Sequence, residues 1–452
     1  MGKTLLSVGL DVGTTTTQMV VSELTVENEA SSFAVPKLRI THRKIRYRGD
    51  VHFTPLSGPD RVDGPALRAL VAADYEAAGI TREDVDTGAV IVTGETSRKE
   101  NARTVLEMLS EFAGDFVVAT AGPDLESILA ARGAGAVECS ENRRVLHMDI
   151  GGGTSNLCLL EQGKVLATGC VNVGGRLIRL DENGVIVYCS PVLREISPVR
   201  AGQRPTQEQL WELAKTLASV LEMAAGLTPA TDILCKLTTQ ENGKPWKIPQ
   251  GVTLSFSGGV ADCIANRYPA GQFGDIGPLL GRAIGESRLC QGEFFLGRET
   301  IRATVIGAGC HSTRLSGSTV FYQNLSLPLK NLPVAVPERM DAASIAQALA
   351  GWDQDMVVLA LPGYPAPDYS QVKALAQTIL QGIGKRPVLV CLEADMAKAL
   401  GHCLRLQLPE DAPCLCLDGL GLEDGMYLDV GQPVGPALPV VMKTLVLSGG
   451  IG

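Results

Sequence analysis

Leu5 to Leu10 is a short apolar run that ends in Asp11-Val12-Gly13-Thr14-Thr15-Thr16-Thr17-Gln18, and a second apolar run, Met19 to Ser22, follows directly. Val145 to Ile150 behaves the same way. It meets Asp149-Ile150-Gly151-Gly152-Gly153-Thr154-Ser155-Asn156 and resumes as Leu157 to Leu160. Each pattern predicts a strand, a polar Gly/Thr turn and an antiparallel return strand, with a carboxylate where the first strand ends. Both copies read Asp-x-Gly and then Thr, and they lie about one domain length apart. That predicts an internal duplication.

A turn of this kind has a chemistry. The backbone N–H groups of a Gly-rich turn converge and can cradle phosphate oxygens. Threonine hydroxyls add donors. The carboxylate can hold Mg²⁺, often through water, because this hard ion keeps part of its hydration shell. Two such turns facing each other would grip a triphosphate from both sides. A third turn, Ser257-Gly258-Gly259-Val260, follows the strand Val252 to Phe256 and would let a nucleoside approach a backbone that has no Cβ in the way. Each turn alone is an ordinary hairpin or strand-to-helix connection; the three in this order carry the reading. Other nucleotide and catalytic signatures are missing. Gly2-Lys3-Thr4 lacks the upstream half of a P-loop, no G-x-G-x-x-G opens a helix, and neither H-E-x-x-H nor G-x-S-x-G occurs.

Composition narrows the class. The 50 glycines in 452 residues follow no G-x-y period, so they point to tight turns and close backbone approaches. A net charge of −9 disfavours a nucleic-acid partner, which calls for a cationic face, while leaving room for an anion held by backbone amides. No run of 18 apolar residues exists, so no membrane-spanning helix is expected, and the N-terminus does not read as a signal peptide. The 12 cysteines are scattered, with Cys414 and Cys416 the one close pair. They read as reduced, mostly buried thiols of a cytoplasmic protein.

Further along, helices are expected over Gly64 to Gly79, Glu100 to Phe112, Asp124 to Ala131, Thr206 to Ala225 and Gly277 to Ile284, with strands over Val85 to Val92 and Phe116 to Ala119. The locally basic stretch 39–48 reads as the solvated face of a strand. Thr304 to Ser312 is rich in small residues, as where a chain packs closely against a neighbour. After about residue 325 the pattern becomes an open α/β layer, with strands Val357 to Leu361, Val388 to Cys391 and Cys414 to Leu417, helices between them and a last strand, Val440 to Leu447. The expected division is 1–140, 141–325 with an insertion at about 176–250, and 326–452.

These elements resemble the actin, Hsp70 and sugar-kinase ATPase superfamily over about residues 5–320. Asp11 to Gln18 is similar to its first phosphate motif, Asp149 to Asn156 to its second and Phe256 to Val260 to its adenosine motif. Asp124 to Ala136 and Val305 to Ser312 are similar to its two connecting helices. The resemblance implies an α/β fold of two ribonuclease-H-like domains with an interdomain nucleotide cleft, here followed by a C-terminal α/β region. Leu10 to Gln18, Val92 to Thr96, Ala121 to Ser127, Leu417 to Leu420 and Tyr427 to Gly431 narrow it further. They resemble the ethanolamine ammonia-lyase reactivating factors, the ethanolamine utilisation protein EutA family, over nearly the whole chain.

That family implies a chaperone-like ATPase using ATP and Mg²⁺, and the lack here of a match to the chaperone lysine near the γ-phosphate predicts slow hydrolysis. Its protein partner is adenosylcobalamin-dependent ethanolamine ammonia-lyase, from which it releases damaged cobalamin so that intact coenzyme can rebind. A bacterial microcompartment association is implied, and a homo-oligomer is left open. Carried over by position, Asp11 and Asp149 are the Mg²⁺- and water-positioning carboxylates. Gly13, Thr14, Thr15, Gly151, Gly152, Gly153 and Thr154 hold phosphates, and Ser257, Gly258 and Gly259 sit at the nucleoside. Asp124 and Glu126 are both candidates for activating water, with Glu95 a distant third. No residue matches the lysine that chaperone members place near the γ-phosphate. Asp50-Val51-His52-Phe53-Thr54-Pro55 begins like a cobalamin-binding D-x-H-x-x-G, but Pro55 replaces the glycine, so no cobalt ligation is expected. The competing readings are a sugar or polyol kinase using Asp262 as base, a non-catalytic assembly protein pinned by nucleotide, and a diol dehydratase reactivating subunit.

Overall fold

The structure is a computed structural model. It describes residues 3–444 apart from 14–15, 29–37, 59–60, 93–108, 110–116, 121–122, 240–247, 249–250, 312, 317–318, 353, 425 and 434–437.

The apolar run at the N-terminus extends into strand β1 (Lys3–Val12), and the return run into β2 (Thr16–Asn28). They pair antiparallel from Lys3↔Val26 to Val12↔Thr17. Strand β3 (Leu38–Arg48) continues the meander, and the short β4 (His52–Phe53) pairs with the start of β2. Two parallel strands, Thr87–Val92 and Val117–Thr120, complete the sheet on the other side of β1. In chain order the five principal strands lie third, second, first, fourth, fifth. The second sheet repeats this order and these directions with Val145–Ile150, Ser155–Glu161, Lys164–Val171, Thr253–Ser257 and Phe294–Leu296. The duplication is therefore one of topology as well as motif, and the 3-2-1-4-5 order with an antiparallel second strand is ribonuclease-H-like. Even the hairpin registers agree: Asp11 faces Gln18, and Asp149 faces Asn156.

Local chemistry accounts for the helices. Asp63 caps the helix Gly64–Ala78 by accepting from the Ala66 N–H, Pro65 sits in its first turn, and Gly79 ends it at φ 64°. Thr206 and Gln209 form a reciprocal capping box on Gln207–Ala224. That helix lies inside the expected insertion, yet it falls between the third and fourth strands of its sheet, as Gly64–Ala78 does in the first. The helix expected over Glu100 to Phe112 lies outside the described residues except Leu109, which is helical and buried.

The helices Pro123–Gly133 and Ala303–His311 follow the last strands of the two sheets and pack on one another. Glycines set that crossing. A Cβ on Gly133 would stand 1.8 Å from the Ala303 carbonyl oxygen, and one on Gly307 2.0 Å from that of Leu129. Where the second helix crosses β1, a Cβ on Gly9 would stand 2.5 Å from the Val305 carbonyl oxygen, and one on Gly309 2.9 Å from the Gly9 nitrogen. The small residues Gly307 and Gly309 thus serve the close packing expected of this stretch.

A third sheet of eight strands begins at Thr313, earlier than residue 326. Its centre is parallel: Leu329–Ala335, Val358–Leu361, Val388–Leu392 and Cys414–Leu417. The helices Ala342–Ala350, Tyr369–Ile383 and Ala397–Arg405 cover one face, burying Ile345, Leu375, Ile379 and Leu400. The described cysteines are free thiols. No helix among the described residues is long and apolar enough to cross a membrane.

Candidate functional site

The two hairpin turns face one cavity of about 480 Å³. Asp11, Gly13 and Glu126 line it from the first lobe, and Asp149, Gly151, Gly152, Gly153 and Thr154 from the second, with Gly258 and Gly259 beside them. The turns are closed identically. Gly13 N–H donates to the Thr16 carbonyl at 2.9 Å, and Gly151 N–H to that of Thr154 at 3.0 Å. Thr14 and Thr15 lie outside the described residues, as does Glu95. A larger hollow of about 580 Å³ lies on the third sheet beside Leu349, Lys385 and Arg386, but it gathers none of the sequence-predicted residues.

The adenosine-motif glycines differ in what fixes them. Gly258 has φ 85°, and a Cβ there would meet the Ile150 carbonyl oxygen at 2.3 Å, so the fold itself demands glycine. Gly259 has ordinary room, the nearest atom being Ile301 Cδ1 at 3.7 Å, so its openness serves the cavity. Ser257 is not a lining residue. It is fully buried beneath the floor, where its hydroxyl donates to Asp149 Oδ1 at 2.5 Å.

Asp149 is only 7 % exposed. Its other oxygen accepts from the Thr304 hydroxyl at 3.2 Å. Burial pushes its carboxyl upward, and the two hydroxyl donors pull the other way. Of the two water-activating candidates, Glu126 lines the cavity, half-buried in the first turn of Pro123–Gly133. Asp124 is exposed and accepts from Thr168 Oγ1 at 2.5 Å, away from the cavity. Asp262 also lines the cavity, but Thr300 Oγ1 donates to it at 2.5 Å. His52 of the cobalamin-like segment lies 3.3 Å from buried Asp74, a partner that accounts for it.

Several site residues escaped the sequence reading. Gln18 and Asn156, the amides opposite the two aspartates, both line the cavity and are almost fully buried. Gln18 Nε2 donates to the Ile301 carbonyl at 3.1 Å, but Gln18 Oε1 and Asn156 Oδ1 have no hydrogen-bond partner among the described residues. Buried amide oxygens are ordinarily satisfied, so these two suit the water shell of a cation or a ligand donor. The signal was present: each amide stands seven residues after its aspartate.

His147 was also missed. It is fully buried between Ser255 Oγ, 3.0 Å from Nδ1, and Ser257 Oγ, 2.9 Å from Nε2. Because Asp149 can only accept when ionised, the Ser257 proton is committed to it. The His147 proton therefore sits on Nε2, and Nδ1 accepts from Ser255. This chain holds the Asp149 carboxylate in place. Burial pulls the imidazole down to about 3, against an ordinary value near 6.5. The sign follows: below about pH 6.5 the unfolded chain takes up a proton that the folded chain refuses, so acidification costs stability. Urea melts at pH 7, 6 and 5 should show the unfolding free energy of the parent falling faster than that of His147→Gln, by up to about 1.4 kcal/mol per pH unit. The buried carboxylates are common to both chains and cancel. A difference that does not change with pH would contradict a buried neutral imidazole.

Among the described residues, no three of His, Cys, Asp and Glu cluster as ligands of one metal ion. The cavity does offer two carboxylates, Asp11 and Asp149, and two orphaned amide oxygens from facing turns. That donor set fits a hydrated Mg²⁺ shared with phosphates, since this ion is commonly bound by one or two carboxylates, waters and substrate oxygens.

Two lobes of duplicated ribonuclease-H-like topology, with paired Asp-Gly-Thr turns across a cleft, define an actin/Hsp70-like ATPase fold. Within that class, the chain belongs to the Ethanolamine utilisation protein EutA family, which it matches over residues 3–448. It is 41 % identical to the ethanolamine ammonia-lyase reactivase EutA of Salmonella typhimurium, and the match covers 98 % of each chain. It is 39 % identical to the Escherichia coli reactivase of that name, again over 98 % of each. Among solved structures it resembles the Aquifex aeolicus PPX-GPPA enzyme, with a TM-score of 0.41 and 12 % identity, over 68 % of this chain and 99 % of that one.

Proposed function

We propose that this protein is an ATP- and Mg²⁺-dependent reactivating factor for ethanolamine ammonia-lyase. It would free damaged cobalamin from the inactivated enzyme so that adenosylcobalamin can rebind. The observation that carries the reading is the single cavity into which both lobes send the same Asp-Gly-Thr turn, in a chain so similar to curated reactivases. Asp11 and Asp149 would hold Mg²⁺ through water, and the ion would neutralise phosphate charge. The backbone of Gly13, Gly151, Gly152, Gly153 and Thr154 would hold phosphate oxygens, joined by Thr14 and Thr15. Gly258 and Gly259 leave room for the nucleoside. Glu126 orients water.

The physical logic is population shift. A nucleotide bound between the lobes favours one interlobe angle, and a client bound across them feels that bias. The crossing helices transmit it, because one carries Glu126 and the other Thr304, the Asp149 partner. No lysine is among the described residues that line the cavity, so we expect slow hydrolysis, with binding doing much of the regulation. The functional division is 1–140, 141–312 and 313–452, the last opening with the first strand of the third sheet, and the protein works in the cytoplasm, alongside or within a bacterial microcompartment.

The test is reactivation. Ethanolamine ammonia-lyase is inactivated with hydroxocobalamin, then given this protein, ATP, Mg²⁺ and fresh adenosylcobalamin. Recovery of deaminase activity that requires both nucleotide and Mg²⁺ is expected. Failure to recover, together with phosphorylation of a sugar or polyol, would replace the proposal with a kinase that uses Asp262 as base.

A further inference from the structure

Five carboxylates line the cleft cavity (Asp11, Glu126, Asp149, Asp262 and Asp275), and Arg176 is the one cation among its described lining residues. Its position is built rather than incidental. Arg176 N–H donates to the Gly152 carbonyl at 2.6 Å, and Gly175 N–H to that of Gly151 at 3.0 Å, so this segment is fastened to the second phosphate turn. Gly174 allows the approach, since a Cβ there would meet the Gly152 carbonyl oxygen at 2.3 Å. Asp275, nearly buried and fixed by the Gly277 N–H, accepts from Arg176 Nε at 3.0 Å and aims the guanidinium into the cavity.

The rest of the guanidinium lies over the Phe53 ring, 4.7 Å from its centroid. Phe53 belongs to the other lobe and is 69 % exposed, so its ring face is open to the guanidinium. It is fastened to the first phosphate turn. Phe53 pairs with Thr16, the acceptor of the Gly13 N–H, and the neighbouring Thr54 hydroxyl donates to the Gly13 carbonyl at 2.8 Å. The Phe53–Arg176 contact thus spans the two turns between which a triphosphate would lie.

We propose that Arg176 reads the phosphate charge of the bound nucleotide and that Phe53 is its parking place when no phosphate is present. Arg176 is then a positioning and specificity residue, and its release from Phe53 couples phosphate binding to the spacing of the lobes. This rests on the nucleotide reading of the cleft. The energetic order supports it: a charge-assisted, forked bond to phosphate outweighs an exposed cation–π contact.

The test is equilibrium binding of ATP and of adenosine to the full chain with Mg²⁺, by titration calorimetry. Arg176→Ala should weaken ATP about tenfold or more and leave adenosine within about twofold. Arg176→Gln, which keeps an N–H donor for Asp275, should give the same split, so a folding defect would be recognised. Phe53→Leu, at an exposed position, should tighten ATP about two- to fivefold by removing the competing contact, with adenosine unchanged. Equal loss of ATP and adenosine in both Arg176 variants would overturn the role of Arg176. Weakened or unchanged ATP binding in Phe53→Leu would overturn the parking contact. Failure of the unaltered chain to bind ATP would overturn the nucleotide reading itself, and this inference with it.

Discussion

A chain carrying Gly307→Ala will lose stability where intrinsic preference says it should gain. Inside an exposed helix, glycine to alanine is worth about 1 kcal/mol in favour of alanine. Here the new Cβ would stand 2.0 Å from the Leu129 carbonyl oxygen and 2.6 Å from its carbonyl carbon, both backbone atoms of the facing helix. No flexible side chain can yield, so the helices must separate by about an ångström, at a cost of about 3 kcal/mol or more. The loss should not stop at stability. Pro123–Gly133 carries Glu126 at the cavity, and Ala303–His311 carries Thr304 on Asp149, so a displaced crossing shifts both halves of the site. Urea melts should show the destabilisation, and titration with ATP should show weakened binding in the fraction that remains folded. Gly351→Ala is the control: its Cβ would meet nothing within 4 Å, and it should stay within about 0.5 kcal/mol of the parent. A Gly307→Ala chain as stable as that control would mean that the helices do not cross at these glycines.

What could be read from the sequence divides along physical lines. Hairpins are local: the return of β2 after Asp11 and that of Ser155–Glu161 after Asp149 are written in contiguous residues, so both turns were legible. The alternation of strand and helix after Ala335 was legible for the same reason. Its edge strands were not. Thr313–Leu315 and Phe321–Gln323 are three residues each, too short to carry a period, and only pairing with distant strands defines them.

Site residues that depend on register were hidden in the same way. The resemblance to the adenosine motif puts Ser257 at the nucleoside beside Gly258. The parallel register sets it against Asp149 instead, and sets Ser255 against His147. Alternate polar residues in two otherwise apolar strands were the available clue, since positions two apart share a face of the sheet. Asp124 and Glu126 posed the converse problem. Residues two apart on a helix point in nearly opposite directions, so one of them had to leave the cavity, but only the packing of that helix decides which. The Phe53–Arg176 contact joins separate lobes, and nothing in either local sequence announces it.

Asp149→Asn should abolish nucleotide-dependent reactivation while leaving the fold intact, and the structure explains why the two effects separate. Asparagine keeps the shape of the side chain. Its amide oxygen still accepts from Ser257, and its NH₂ can donate to the Thr304 hydroxyl, which rotates to accept. The fold also no longer buries a charge, so melting should occur at or above the parent temperature. What disappears is a negative charge on the cavity floor, facing the position where a hydrated cation and phosphates would meet. Loss of one fixed electrostatic group of this kind costs about a hundredfold or more in rate. Asp11→Asn should do the same from the other lobe. Binding of ATP should lose its dependence on Mg²⁺ in both variants, a readout that does not require the client enzyme. Glu126→Gln should behave differently, slowing ATP hydrolysis while nucleotide binding persists, and Asp124→Asn should change neither by more than about twofold, because its carboxylate bonds Thr168 outside the cavity. Undiminished reactivation by Asp149→Asn or Asp11→Asn would remove that residue from the cation site. A loss in Asp124→Asn that exceeds the loss in Glu126→Gln would transfer the water-orienting role to Asp124.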